Sequence, residues 1–358
     1  MQVSELIALQ EWYFQQCHSN GLIDKFTALV EKIRQNISVS GYPFEEEKEQ
    51  LVDALSHMSF KSLTIEQEAF LTKLDLRSYL GENGIDQVEN ILYKNQLDIA
   101  TASEKFGHIV ENFSKASEFF SCVETKISPL FPEKHEEITE MEAWMRVYFQ
   151  EKASITNVVE FKEYARKWYD ITRGIALAVD KRPEDIRIVS AERGSIIINA
   201  AVLTVIAEIF SKVVLRSLEI AEKILELKKK KMEIEALKLE KEINDNLTED
   251  LKDAIDSTKK NGAETICKAV IDELKITDSE KKSGLKKSIE LMLEFLENGG
   301  NIDFICNELP ENDVDEDNEI VELREIVRSQ NEKLVGTVEK IRQIEHKLML
   351  LSEGEKEF

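Results

Sequence analysis

The side chains best suited to bind a ligand are aromatic residues with one arginine in the middle of the chain. They are Trp144, Tyr148, Trp168, Tyr169 and Arg173. The last three fall within about one and a half turns of one predicted helix, which we expect to face a small sheet. Aromatic rings beside a guanidinium group suit a ligand or peptide pocket. We predict such a pocket here, with ordinary core and a snorkelling arginine as the alternative.

A second candidate is the turn made by Arg193, Gly194 and Ser195, which follows a short alternating apolar segment. An arginine next to a glycine turn predicts a modest anion site, and an ordinary tight turn is the alternative. Neither G-x-x-x-x-G-K-[ST] nor G-x-G-x-x-G occurs in the chain, so we predict no phosphate-binding loop of either kind.

An acidic segment near residue 315 has part of the spacing of a calcium-binding loop. Its carboxylates are Asp313, Asp315, Asp317 and Glu319. A calcium loop of the EF-hand type needs glycine at its sixth position and a bidentate glutamate at its twelfth. Asn318 and Arg324 occupy those positions. We therefore interpret residues 311–319 as a solvated acidic linker.

Histidine and cysteine show no catalytic or metal-binding pattern. His135 is followed by two glutamates but by threonine at position 139, so the H-E-x-x-H spacing is incomplete. Cys17 is interpreted as a structural cysteine, with a nucleophile assisted by a distant histidine as the alternative. We predict no metal and no cofactor.

The charge balance limits the classes of partner. The 358 residues carry a formal net charge of −23, and 33% of them are charged. A chain this acidic repels nucleic acid and anionic membranes unless a basic face is segregated from the rest. The longest basic run, at 228–231, is flanked by glutamates. We therefore expect no direct nucleic-acid binding.

The most apolar stretch, residues 186–210, is too interrupted to span a membrane. From Ile196 onwards the apolar run is interrupted by Asn199, Glu208 and Lys212, whereas a spanning helix needs about 20 mostly apolar residues. We predict buried core or an oligomer interface, and an amphipathic helix at a membrane surface is the alternative. The four cysteines form no C-x-x-C pair and the first residues lack a basic signal region, so we expect a cytoplasmic protein.

The elements that must position these residues are mainly helical, because the chain has only five prolines and 13 glycines among many helix-forming residues. Residues 1–132 predict a helical domain, with a capping box from Thr64 to Gln67. Residues 140–210 predict a small α+β module with a three-stranded, mostly antiparallel sheet. A strand begins it, a helix over 155–179 follows, and a hairpin closes it.

Two long amphipathic helices dominate the remainder. One is predicted over 200–246 and the other over 320–351, separated by a helical subdomain at 248–310 with a helix stop at Gly262 and by the linker at 311–319. Both helices are coiled-coil candidates. Their predicted interface residues are Ile206, Phe210, Val213, Ile220, Ile224, Leu227, Ile234, Leu323, Val327, Leu334, Val338, Ile341 and Leu348.

No segment concentrates catalytic residue types at motif spacing. We therefore predict a non-enzymatic, cytoplasmic, oligomerising scaffold, sensor or regulatory subunit that acts through protein–protein contacts of its long helices. Protein partners and a homo-oligomer are expected. One alternative is an accessory component of a bacterial multi-protein system, such as phage defence or stress response, acting at a membrane surface. The other is an enzyme of unfamiliar type that uses the pocket around Trp168 and Arg173.

Overall fold

The computed structural model divides the chain into two compact units, Met1–Glu136 and Glu137–Phe358. The residues that it describes are 1, 3–38, 43–94, 98–131, 139, 141–192, 196–236, 241–306 and 318–354. The architecture is mainly α with a small antiparallel sheet in the second unit, so the predicted fold class is confirmed.

The first unit is built from helices around an aromatic core. They are α1 (Val3–Tyr13), α2 (Leu22–Ser38), α3 (Glu45–Ser56), α4 (Ile65–Lys73), α5 (Gly81–Lys94) and α6 (Ile99–Cys122). Phe26 of α2 stacks on Phe113 of α6 at 5.4 Å between ring centroids. The predicted capping box at the start of α4 is confirmed, since Thr64 accepts from the Gln67 N–H and the Gln67 side chain accepts from the Thr64 N–H.

The second unit combines a four-stranded sheet with five helices in its described part. In chain order its elements are β1 (Glu142–Phe149), α7 (Val158–Ala178), β2 (Ile186–Glu192), β3 (Ile196–Leu203), α8 (Thr204–Ala236), α9 (Lys241–Leu274), α10 (Ser279–Glu297), β4 (Asn301–Ile305) and α11 (Asn318–Gly354). The strand order is β2-β3-β1-β4, and every neighbouring pair is antiparallel. The predicted strand, helix and hairpin order therefore holds for β1, α7, β2 and β3.

The prediction of a three-stranded sheet confined to residues 140–210 was wrong, because β4 comes from the region predicted as a purely helical subdomain. A five-residue strand is too short to show a clear alternating pattern in the sequence. Its stability comes from tertiary contacts: it pairs with β1, and on its outer edge the Phe304 N–H donates to Asn331 Oδ1 of α11 at 2.8 Å.

The long helix begins later than predicted. Residues 200–203 complete β3, where they pair with β1, and α8 starts at Thr204. The backbone N–H and the hydroxyl of Thr204 both donate to the Met141 carbonyl at 2.8 Å, which fixes the change from strand to helix. The predicted continuation to residue 246 crosses 237–240, which lie outside the described residues, and Lys241 onward belongs to α9.

The predicted helix stop at Gly262 was also wrong, since this glycine lies inside α9. A Cβ atom placed on Gly262 would lie 2.5 Å from Cδ1 of Ile220 on α8. The glycine therefore allows two helices to approach closely, and packing outweighs its low helix propensity.

One face of the sheet forms the core of the second unit. Alternate β1 residues from Ala143 to Phe149 are buried, and the Phe149 ring lies 5.4 Å from the ring of Phe295 on α10. Phe210 of α8 contacts Phe304 of β4 at 5.9 Å. Glu208, which interrupts the apolar stretch, is buried and forms an ion pair with Lys212. The contact between Phe210 and Phe304 therefore joins α8 to the sheet.

The apolar stripes of α8 and α11 cover each other within the chain, where these two helices pack together. Seven of the predicted interface residues are buried: Ile206, Phe210, Val213, Ile224, Val327, Leu334 and Val338. The others, Ile220, Leu227, Ile234, Leu323, Ile341 and Leu348, are partly buried. These stripes therefore do not require a second chain to bury them. The prediction of a homo-oligomer was based mainly on these stripes, so it is no longer supported by them.

Candidate functional site

The predicted aromatic pocket is not assembled, because its members point to different surroundings. Trp144 and Tyr148 lie on the face of β1 opposite to the core residues, and the partly buried Trp168 packs against rings on the core side. Tyr169 is exposed, and Arg173 pairs with Glu280 of α10. Residues adjacent on a strand alternate between two faces, and residues adjacent on a helix diverge by about 100°. The five residues therefore do not share one site.

Trp168 serves as core packing. Its ring lies 5.2 Å from Phe295 and 6.2 Å from Phe149, and it is stacked with Phe210 at 6.3 Å. The cavity beside it measures about 10 Å³, which is room for about one water molecule. The arrangement favours the core alternative over a ligand pocket at Trp168.

The opposite face of the sheet carries a buried ionic cluster that the sequence did not reveal. Arg146 donates from Nε and a terminal nitrogen to the two carboxylate oxygens of Asp303 at 2.8 and 2.9 Å. The Tyr148 hydroxyl donates to the same carboxylate at 2.9 Å. Asp303 and Tyr148 are fully buried, and the side chain of Arg146 is 11% exposed. The cluster uses the carboxylate to bind β1 to β4, which is a structural role.

A small cleft lies between the helices α8 and α11 and two turns of the chain, the turn that follows β1 and the turn that precedes β4. Its volume is about 80 Å³, with an apolar floor that includes Ile224, Leu296 and Val338. The charged residues at its walls are Glu151, Lys228, Glu297, Arg342 and Glu345. Ligand pockets for drug-sized molecules measure about 300–1,000 Å³. The cleft is therefore suited only to very small molecules.

Glu345 is a half-buried carboxyl group at the wall of this cleft. Burial raises its pKa, the nearby carboxylate of Glu151 raises it further, and Arg342 and Lys228 oppose the rise. Glu151 has a backbone φ of 49°, which is uncommon for a residue other than glycine. Burial and the neighbouring carboxylate therefore both disfavour the charged form of Glu345.

The remaining sequence candidates give no assembled site. The turn at Arg193, Gly194 and Ser195 lies outside the described residues, as do Asp313, Asp315 and Asp317 of the acidic segment. Within the described ranges, His, Cys, Asp and Glu side chains form no group of three that could hold a metal ion. In the same ranges, none of the helices combines the length and apolar character required to cross a bilayer.

Cys17 has the properties of a structural residue. Its side chain is completely buried in the first unit, and burial raises the pKa of its thiol far above the usual range. The thiolate is the nucleophilic form, so a thiol held protonated in an apolar core is a poor nucleophile. This arrangement favours the structural interpretation.

The feature that sequence reasoning missed is a second apolar face on α7. The periodic apolar residues of this helix divide into an inner face, with Ile171 and Ile175 buried, and an exposed face. We call the exposed side of this helix the outer face of α7. It consists of five apolar or aromatic residues and two cations: Val158, Val159, Phe161, Ala165, Tyr169, Lys162 and Arg166. Val158 is 83% exposed, Phe161 49% and Tyr169 57%. Residues 161, 165 and 169 follow each other by four positions, so they form a continuous strip.

The outer face is held on a rigid helix. Gly174 of α7 lies against Gly284 and Ser288 of α10, and Ser288 Oγ donates to the Asp170 carbonyl at 3.0 Å. Two ion pairs, Lys167 with Glu294 and Arg173 with Glu280, also join the helices at 3.0 Å. The exposed apolar side chains are therefore presented on a fixed backbone and could be bound without ordering a loop.

Comparisons of the chain with protein-family models, with curated proteins and with solved structures found no match. The function must therefore be argued from surfaces and sites of this chain alone. Among them, the outer face of α7 is the surface that burial in the fold explains least.

Proposed function

We propose that this protein is a non-enzymatic scaffold or regulatory subunit that binds a protein partner through the outer face of α7. The observation that supports this proposal is the continuous exposed strip from Val158 to Tyr169, on a helix whose inner face is buried at Ile171 and Ile175. Large contiguous apolar patches on soluble domains mark interaction sites, whereas single exposed apolar residues need no explanation. Partner binding would bury this strip.

The proposal differs in one respect from the expectation drawn from sequence. The apolar stripes of α8 and α11 pack against each other within the chain, so we assign the partner contacts to α7 instead. Self-association is not required by any of these contacts. A cytoplasmic location remains part of the proposal and rests on the scattered cysteines. The proposal does not use the enzyme alternative, because Trp168 packs on Phe295 whereas Arg173 pairs with Glu280.

Site-specific photo-crosslinking tests the proposed function. A photoreactive amino acid at position 169, in the cells that express the protein, should form an adduct with a defined protein. The Phe161→Ser substitution in the same chain should abolish that adduct, because it removes the aromatic anchor one turn away from Ala165. The control is the same photoreactive group at position 93 on α5, where Tyr93 is 76% exposed.

Three outcomes would overturn the proposal. They are absence of any adduct at position 169, the same adducts at positions 169 and 93, and adducts that Phe161→Ser leaves unchanged. An adduct between two copies of this chain that depends on Phe161 would support the oligomerising form of the function.

A further inference from the structure

We infer that the partner segment bound by α7 is an acidic amphipathic helix of another protein. This inference rests on the proposed docking function of α7 and adds the chemistry of the partner. Two observations carry it: the charge of the outer face, and the spacing of its apolar residues.

The outer face is basic in a chain that is otherwise strongly acidic. Lys162 and Arg166 lie one turn apart in the row beside the apolar strip, and both are exposed. Within the described residues, neither forms an ion pair with a carboxylate of the chain. By contrast, Arg173 is paired with Glu280, and Asp170 is paired with Lys287 at 2.8 Å. The two unpaired cations therefore favour carboxylates on the bound molecule.

The shape of the strip matches a helix. Val158, Ala165 and Tyr169 lie along about 17 Å of α7, which is three helical turns. Ala165 leaves a shallow gap between the larger rings of Phe161 and Tyr169, and such a gap can receive a ridge from a second helix. A partner with apolar residues three and four positions apart would place them on this strip and its flanking carboxylates near Lys162 and Arg166.

A membrane surface fits this face less well than a helix does. Glu163 is exposed at the edge of the face and Glu280, nearby on α10, is 79% exposed on its side chain. A flat anionic bilayer would extend beyond the outer face and meet these carboxylates. A helix is only about 10 Å wide, so it contacts only the outer face of α7.

Two designed peptides test the inference with the full-length protein. Both are helices of roughly 18 residues, or about 27 Å, with leucines at spacings of three and four. One has glutamates and the other has lysines at the flanking positions. We expect the glutamate peptide to bind roughly tenfold more tightly at low salt, with a difference that shrinks as salt is added, because two exposed charge pairs change sign.

Matched variants locate the effect. The double substitution Lys162→Glu with Arg166→Glu should reverse the preference towards the lysine peptide. The control is Lys223→Glu with Lys230→Glu, two exposed lysines of α8, which should leave the preference unchanged. Phe161→Ser should weaken both peptides. Circular dichroism of each variant checks that the helical content is retained.

Several results would overturn the inference. They are equal binding of the two peptides, no binding of either, tighter binding of the lysine peptide, and Phe161-dependent flotation with anionic vesicles. A dimer in mass measurements that Phe161→Ser dissociates would identify a second copy as the occupant instead. If crosslinking at position 169 captures a partner through a segment that is not acidic, the proposed function stands and this inference fails.

Discussion

At the scale of single residues, the Asp303 carboxylate has the largest predicted effect on stability. We expect Asp303→Ala to lower the free energy of unfolding of the second unit by about 3 to 5 kcal/mol, because the buried guanidinium of Arg146 would lose both oxygens of this carboxylate. The Tyr148 hydroxyl would also lose its acceptor. Urea unfolding followed by circular dichroism measures this change.

The control for this prediction is the exposed ion pair between Arg173 and Glu280. Arg173→Ala should change the same free energy by at most about 1 kcal/mol, since water solvates both charges and the side chains lose entropy in pairing. Equal losses for Asp303→Ala and Arg173→Ala would contradict the assignment of Asp303 as the central link between β1 and β4.

The raised pKa of Glu345 leads us to expect that the stability of the second unit depends on pH. Its pKa in the folded chain is raised above the ordinary value of 4.5, first by burial and then by Glu151. The folded chain therefore holds this proton more tightly than the unfolded chain, and the contribution of Glu345 to stability falls as pH rises from 4.5 through the raised pKa. Glu345→Gln, which stays neutral, should raise the melting temperature at pH 7.

The gain from Glu345→Gln should shrink as the pH approaches 4, where the native carboxyl group is itself protonated. Melting temperatures of the variant and the parent across this pH range measure the effect. Glu219→Gln, at an exposed position of α8, serves as the comparison. A gain that is the same at pH 4 and pH 7 would show that Glu345 acts through packing and not through its charge.

At the scale of helices, two glycines of the second unit should respond oppositely to the same substitution. A Cβ atom at Gly174 would overlap Ser288 Oγ and the carbonyl of Gly284, whereas a Cβ atom at Gly336 of α11 would meet nothing within 4 Å. Gly174→Ala should therefore destabilise the second unit by about 1 to 3 kcal/mol. Gly336→Ala should stabilise it by up to about 1 kcal/mol through helix propensity.

Thermal and urea unfolding of both variants decide this prediction. The opposite signs are the test, because helix propensity alone would make both substitutions stabilising. Stabilisation by Gly174→Ala would show that α7 and α10 do not approach each other closely at Gly174 and Gly284. The outer face of α7 would then lack the support that its packing on α10 provides.

Sequence periodicity identified helices well and identified their partners poorly. The spacing of Val158 to Val179 predicts α7, but it cannot tell an inner face from an outer one when apolar residues occupy both. That distinction depends on α10, whose contact with Gly174 is set by residues more than 100 positions away. The short strand β4 and the role of Gly262 were missed for the same reason, since both depend on long-range packing.

The candidate pocket is not assembled, because residues that are adjacent in the sequence point to different surroundings in the fold. Trp168 and Tyr169 are neighbours in sequence, yet the first packs on Phe295 and the second is 57% exposed. The Arg146–Asp303 pair joins residues 157 positions apart, so no local sequence pattern predicts it. Local spacing therefore predicted the helix that carries the outer face, while the contacts that define each site required the fold.

At the scale of the whole molecule, the two units differ in how they form their cores. The first unit packs helices around aromatic rings such as Phe26 and Phe113. The second unit packs helices on a sheet whose edge strand β4 lies about 150 residues along the chain from its partner β1. Among the described residues, the core cluster of the first unit runs from Leu9 to Phe120, and the paired strands of the sheet all belong to the second unit.

Separate expression of the two units tests this independence. Fragments 1–136 and 137–358 should each fold, because each contains a complete core and has a length within the usual domain range of about 50 to 250 residues. The far-ultraviolet circular dichroism of an equimolar mixture should equal that of the intact chain. Each fragment should also unfold in one cooperative transition. An unfolded 137–358 fragment that regains structure when 1–136 is added would show instead that the sheet unit depends on the first unit for its stability.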